Sequence, residues 1–159
     1  MAVALGPGIP GPDEAAATEV AAQALGFVLS RANMTVSPKI PATQLRALHI
    51  IEASEPINLT RLTEKLGTIP SSASRLCDRL QSAGLLDRRA ATMDRREVEL
   101  FLTGDGKRLL ERLRAARQAD LAHVLADMTT QGRAALLRGL REFAVAAERQ
   151  GEGRQEHTA

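Results

Sequence analysis

The triplet Asp-Arg-Arg occurs twice, as Asp87-Arg88-Arg89 and Asp94-Arg95-Arg96, seven residues apart. A guanidinium is a planar, permanently charged fork that suits carboxylate and phosphate oxygens. Asp94 stands two residues before Arg96, close enough in a turn to hold that guanidinium in one place. Upstream, Pro70-Ser71-Ser72-Ala73-Ser74-Arg75 combines small hydroxyl side chains with a cation. These residue types bind anions. The serines have no histidine base within the motif to activate them as nucleophiles.

Other chemistries fail on spacing. Glu97 and Glu99 alternate with Val98 and Leu100, so they read as the solvated side of a strand rather than an acid–base pair. His49, His123 and His157 include no pair at i,i+3 or i,i+4, so no metal site is expected. The chain has no nucleophile with a histidine base and no glycine-rich phosphate loop. Accordingly no catalytic residue and no cofactor is expected, and the chain reads as a non-enzyme. Cys77 is the one cysteine, so no internal disulfide can form. It falls where a helix needs a small apolar residue and is expected to be a buried thiol.

A chain of 159 residues has room for about one domain. Hydrophobic residues make up 44% but aromatics only 2%, with no Trp or Tyr. The core must come from Leu, Ala, Val and Ile, a mix that favours helices. The net charge is only +2, which does not announce a polyanion partner. Its distribution is more telling: residues 61–112 hold eleven basic and eight acidic residues. The middle of the chain is therefore the face expected to meet an anion. No apolar run approaches the ~20 residues of a membrane span, and no basic-then-apolar segment opens the chain. A soluble, cytoplasmic protein with no membrane partner is expected.

Residues 1–12 carry three Gly and three Pro and are expected to be disordered. Asp13 is the expected cap of a first helix over 14–33, with Val20, Ala24, Leu25, Val28 and Leu29 at helical spacing. Thr43 is the expected cap of a second, with Leu45, Leu48, Ile50 and Ile51 inward. A short extended piece, Ile57-Asn58-Leu59, precedes a third helix, 61–66, capped by Thr60 and closed by Gly67. Pro70 suits the first position of a fourth helix, which runs to Ala83 with Ala73, Leu76, Cys77 and Leu80 inward. Two strands, 85–90 and 96–103, follow, and Val98, Leu100 and Leu102 share one side of the second. Thr103 can cap a long fifth helix with Leu110, Leu113, Leu121, Val124 and Met128 inward. Thr129 or Thr130 can cap a sixth with Leu136, Leu137, Leu140, Phe143 and Ala147 inward. From Gly151 the tail reads as loose.

This order over 43–103 is that of a winged helix-turn-helix, so the fold class is mainly α with a small β-hairpin wing. A helix-turn-helix lays its second helix in the DNA major groove. Here Ser71, Ser72 and Ser74 would approach phosphate or base edges, and Arg75 and Arg79 would reach bases or backbone. Arg88, Arg89 and Arg95 would contact the backbone. Arg96, supported by Asp94, would enter the minor groove, whose negative potential attracts arginine. The low net charge leaves open a winged-helix module that binds protein rather than DNA. The outer helices exceed what so small a core needs, and a second copy of the chain is the simplest partner for their apolar stripes.

The runs LTRLTEKLGTIPSSASRLCDRLQSAGLLDRR and DRREVELFLTGDGKRLLERL resemble the recognition helix, wing and first long C-terminal helix of the MarR family of bacterial transcriptional regulators. The most specific part is the Asp-x-Arg wing signature, Asp94-Arg95-Arg96. The resemblance implies a homodimer built from dimerisation helix 1 (13–38) and helices 5 and 6 (104–150), with a DNA-binding lobe over 39–103 and a tail over 151–159. It implies double-stranded DNA, a pseudo-palindromic operator, as partner, and repression of a nearby or divergent gene is the expected role. A small aromatic or anionic effector would bind between dimer helices and DNA-binding lobe, near Arg31, Met34, His49 and Leu113. Two departures stand out. Ile69 precedes Pro70 where relatives often have a capping side chain, so a cap must come from Thr68, Ser71, Ser72 or DNA. Gly104-Asp105-Gly106 replaces a proline-containing start of helix five and is expected to loosen the joint between wing and dimer helices.

Overall fold

The structure is a computed structural model that describes residues 11–90 and 98–156. The expected wing tip with Asp94, Arg95 and Arg96 lies outside the described residues, as does the segment 1–10. Six helices and three strands follow in the order α1 (Pro12–Thr35), α2 (Ala42–Ser54), β1 (Ile57–Asn58), α3 (Leu59–Leu66), α4 (Pro70–Ser82), β2 (Leu86–Ala90), β3 (Val98–Leu102), α5 (Gly104–Ala126) and α6 (Thr130–Glu156). This is the winged helix-turn-helix arrangement. The chain divides into two compact units, Met1–Gln118 and Ala119–Ala159.

The first unit holds the core. Leu48, Ile51, Leu62, Leu80, Leu100, Leu109 and Leu110 are all fully buried, each contributing roughly 2 kcal/mol through its removal from water. They come from α2, α3, α4, β3 and α5, so one cluster joins the helix-turn-helix to the wing and to the start of the long helix. The sheet has three strands in the order β1-β3-β2, all pairs antiparallel. Ile57 faces Leu100, and Leu86 faces Leu102. The brief extended piece before α3 is thus a third strand that anchors the hairpin. The expected alternation holds for Leu100 and Leu102, but Val98 is 45% exposed because β3 leaves the core there.

Several caps differ from expectation. α1 starts at Pro12 after Gly11, and Asp13 sits in its first turn rather than capping it. α2 is preceded by Pro41, not capped by Thr43. Asn58, not Thr60, caps α3, its side-chain oxygen accepting from the Arg61 amide at 2.9 Å. Gly67 closes α3 in the left-handed region, at φ 64°. No side chain caps α4, so the offered caps Thr68, Ser71 and Ser72 are not used. Thr129 is the cap of α6, accepting from the Gly132 amide at 3.0 Å. α6 runs on to Glu156, past the Gly151 where the sequence suggested a loose tail. In the single chain, Leu136, Leu137, Leu140, Phe143, Ala147 and Val124 are exposed rather than inward, with Phe143 at 64%. Leu121 and Met128 are half-buried.

The joint after the wing is tight, contrary to the expectation for a glycine pair. Thr103 donates its hydroxyl to the Gly84 carbonyl at 2.6 Å and accepts the Gly106 amide at 3.0 Å. Its own amide reaches the Leu85 carbonyl at 3.1 Å. Gly106 is buried against that same carbonyl, and a Cβ there would collide with it. Glycine is therefore a packing requirement at Gly106, not a source of looseness. Glu55 adds a second tie: it accepts the Leu102 amide at 3.1 Å and pairs with Lys107 at 3.1 Å. Gly106→Ala should cost about 2 kcal/mol or more in urea unfolding, since backbone must shift to admit the methyl. An unchanged midpoint would contradict this packing.

Candidate nucleic-acid interface

α4 presents one face to the core and one to solvent. Ala73, Cys77 and Leu80 are fully buried, and Leu76 is half-buried beside them. Ser71, Ser72, Arg75, Asp78 and Arg79 are exposed, and Ser74 is half-buried. The spacing of the buried set leaves the serines and arginines on the far side, as helical periodicity requires. Cys77 is a free, buried thiol. Burial pushes its pKa up, partly opposed by the nearby Arg88, so it is held as an unreactive thiol.

A groove of about 450 Å³ runs beside α4, lined by Ser72, Arg75 and Arg79 together with Thr43, Arg46 and Thr68. α2 thus supplies Thr43 and Arg46 to the same surface as the three α4 residues. Neither had been singled out as a DNA contact from sequence. Arg46 interrupts the apolar series Leu45, Ala47, Leu48, which marks it as outward-facing, but only the fold puts it beside α4. No carboxylate lines the groove.

The first pair of wing arginines is engaged within the protein. Arg88 donates to Asp78 Oδ1 at 2.7 Å and reaches the Ser74 carbonyl at 3.5 Å. Strand β2 is thereby tied across to the middle of α4. Arg89 pairs with Asp87 at 3.0 Å, and its guanidinium lies 4.7 Å from the centre of the Phe101 ring. That stacking fixes the fork beside the sheet.

A second concavity lies among α1, α2, α3 and α5 within the first unit. It is an open cleft of about 830 Å³ whose walls include Ile40, Leu45 and Ile50, whose cationic groups are Arg46, Lys65 and Arg117, and which His49 also lines. Arg117 donates to Asn33 Oδ1 at 2.8 Å and lies 3.5 Å from His49 Nε2. Desolvation lowers the His49 pKa, and Arg117 lowers it further, against an opposing pull from Glu52. Of the residues expected near an effector, His49 lines this cleft. Leu113 is buried in the core, Arg31 and Met34 are exposed on α1, and none of these three is among the lining residues. Arg117 went unnoticed in sequence, although it stands one turn beyond Leu113 on α5. A cation continuing an apolar stripe is the signal that could have found it.

The MarR family profile matches residues 40–98, which span the helix-turn-helix and reach β3. Over those residues the chain is similar to the MarR family. The chain is 34% identical over 71 residues to the uncharacterized HTH-type transcriptional regulator YhjH of Bacillus subtilis, covering 45% of this chain and 41% of that protein. It is 28% identical over 92 residues to the HTH-type transcriptional repressor MdtR of the same organism, covering 58% of this chain and 59% of that protein. The matched stretches thus span only about half the length of these relatives. The fold extends further: the crystal structure of Rv1404 from Mycobacterium tuberculosis superposes with a TM-score of 0.79 at 29% identity, over 89% of this chain and 98% of that one. Among the described residues, no helix is long and apolar enough to cross a membrane.

The Arg88–Asp78 contact in this domain should be measurable as a coupling. A double-mutant cycle of Arg88→Ala and Asp78→Ala in urea unfolding should give about 0.5–1 kcal/mol, the range for a partly exposed pair. Strict additivity would mean that the pair does not hold β2 to α4.

Proposed function

We propose that the protein is a homodimeric, sequence-specific DNA-binding regulator, a repressor of a nearby or divergent gene that a small effector releases. The observation that carries the reading is the carboxylate-free groove where Ser72, Arg75 and Arg79 of α4 meet Thr43 and Arg46 of α2. Cations and hydroxyls along a groove that no carboxylate lines suit phosphate and base edges. Ser71 and Ser74 extend this face along α4, and Arg88 and Arg89 flank it on β2. Arg96, supported by Asp94, is assigned to the minor groove on its sequence signature, and Arg95 to the phosphate backbone.

The exposed apolar residues of α6, Leu136, Leu137, Leu140 and Phe143, support a dimer. A second copy would remove this stripe from water and place two α4 helices about one DNA turn apart, ~34 Å. The repressor sense follows MdtR, which is named a transcriptional repressor. The open basic cleft around His49 and Arg117 is the proposed effector site.

Substitution tests the contact assignments. Arg96→Ala should weaken operator binding on the order of tenfold or more without disturbing the fold, and Arg75→Ala should relax base preference by roughly 1–3 kcal/mol. Gel-shift affinities across a panel of operator variants provide the measurement. Wild-type affinity in Arg96→Ala would remove the wing from the interface, and an unchanged preference profile in Arg75→Ala would remove base readout from that residue.

A further inference from the structure

We infer that Arg88 is a positioning residue that masks the one carboxylate on the DNA-facing stripe of α4, and that it makes no phosphate contact of its own. The inference rests on the regulator reading above and deepens it, by saying how that face tolerates an acidic side chain.

Ser71, Arg75, Asp78 and Ser82 recur at i, i+4, i+7 and i+11 along α4, and all four are exposed. Such spacing makes one stripe. Ala73, Cys77 and Leu80, at i, i+4 and i+7, are fully buried. The two series are out of step by two residues, about 200° around a helix, so the exposed stripe lies opposite the buried one. Asp78 is the one acidic residue of α4. The regulator reading lays this stripe against DNA, whose phosphates repel a carboxylate.

The counter-charge comes from outside the helix. Arg88 of β2 donates to Asp78 Oδ1 at 2.7 Å, and the same nitrogen lies 3.5 Å from the Ser74 carbonyl. The guanidinium is also close to the Cys77 thiol. Its strand is well anchored, since Arg88 pairs in register with the fully buried Leu100. The Arg88 side chain is 30% exposed and that of Asp78 57%, so the cation is the sheltered member and the acid faces outward. Among the described residues no other cation pairs with Asp78, although Arg75 and Arg79 stand on the same helix. Those two line the groove beside α2 instead. The Asp78–Arg88 pair is neutral as a unit. Loss of Arg88 would leave a bare carboxylate facing phosphate, whereas loss of both charges would leave the face neutral again.

The test reads operator affinity by fluorescence anisotropy, for the full chain and its variants, on a duplex from its own upstream region at several salt concentrations. Arg88→Met keeps the aliphatic stem and removes the charge. It should bind on the order of tenfold more weakly, because like charges then face each other. Asp78→Asn should bind within about twofold of the wild type, since its amide oxygen still accepts from Arg88. The deciding protein combines Arg88→Met with Asp78→Asn. It should return to within about threefold of the wild type, with an unchanged salt slope. A brace that only held the helix in place would not be rescued by removing its second half. Urea midpoints measured alongside show that each variant is folded. Where Arg88→Met does not fold, Arg88→Gln, which can still donate to Asp78, carries the same comparison with and without Asp78→Asn. A double variant as weak as the single arginine variant would overturn the inference and leave the regulator reading intact. A salt slope lower by about one would then identify Arg88 as a phosphate contact. A loss of about tenfold in Asp78→Asn alone would also overturn it, by making the carboxylate itself a base contact. A wild-type protein that binds no operator at all would remove the regulator reading and the inference with it.

Discussion

The first unit depends on a small hydrogen-bonded joint behind the wing. Thr103 connects three segments at once: its hydroxyl donates to Gly84 at the end of the recognition helix and accepts from Gly106 at the start of α5, and its amide meets Leu85. The Leu85 carbonyl lies directly against Gly106, leaving no room for a side chain. Recognition helix, hairpin and long helix are therefore fixed to one another within two turns of chain. A groove that must match DNA requires that rigidity, because a contact helps only when its donors are already in place.

From this joint the division of labour among the arginines follows. Arg88 spans from β2 to Asp78 and the Ser74 carbonyl, and Arg89 is held by Asp87 and the Phe101 ring. Both are close to the scaffold. Arg46, Arg75 and Arg79 line the open groove instead. The bland charge balance of the whole chain conceals this sorting, since the carboxylates of Asp78 and Asp87 pair with wing arginines and the groove itself is lined by none.

The sequence was most legible where one side chain's identity sufficed. Pro70 as a helix start, Gly67 as a left-handed stop and the inward set Ala73, Cys77, Leu80 are local consequences of backbone and periodicity. Caps were less legible because Asn58 and Thr60, or Gly11 and Asp13, are equally good candidates until the chain direction on either side is known. The short extended piece at Ile57-Asn58 was legible, but its membership of the sheet was not, because only its pairing with Leu100 and Glu99 defines that. The role of Gly106 was misread for a related reason: glycine at a helix start suggests freedom until the Leu85 carbonyl, distant in sequence, is found against it. Arg46 and Arg117 were missed because their partners come from other helices. On α6 the apolar series was legible, but its inward direction was not: Leu136, Leu137, Leu140 and Phe143 are exposed in the chain by itself.

The central claim is that this surface binds DNA selectively. The direct measurement is a titration of the purified protein against a duplex from its own upstream region and against a scrambled duplex, at two salt concentrations. Tight binding to the first is expected, with weaker binding to the second and a steep loss of affinity with salt as phosphate contacts displace counterions. Absence of binding to either duplex at low salt would contradict it.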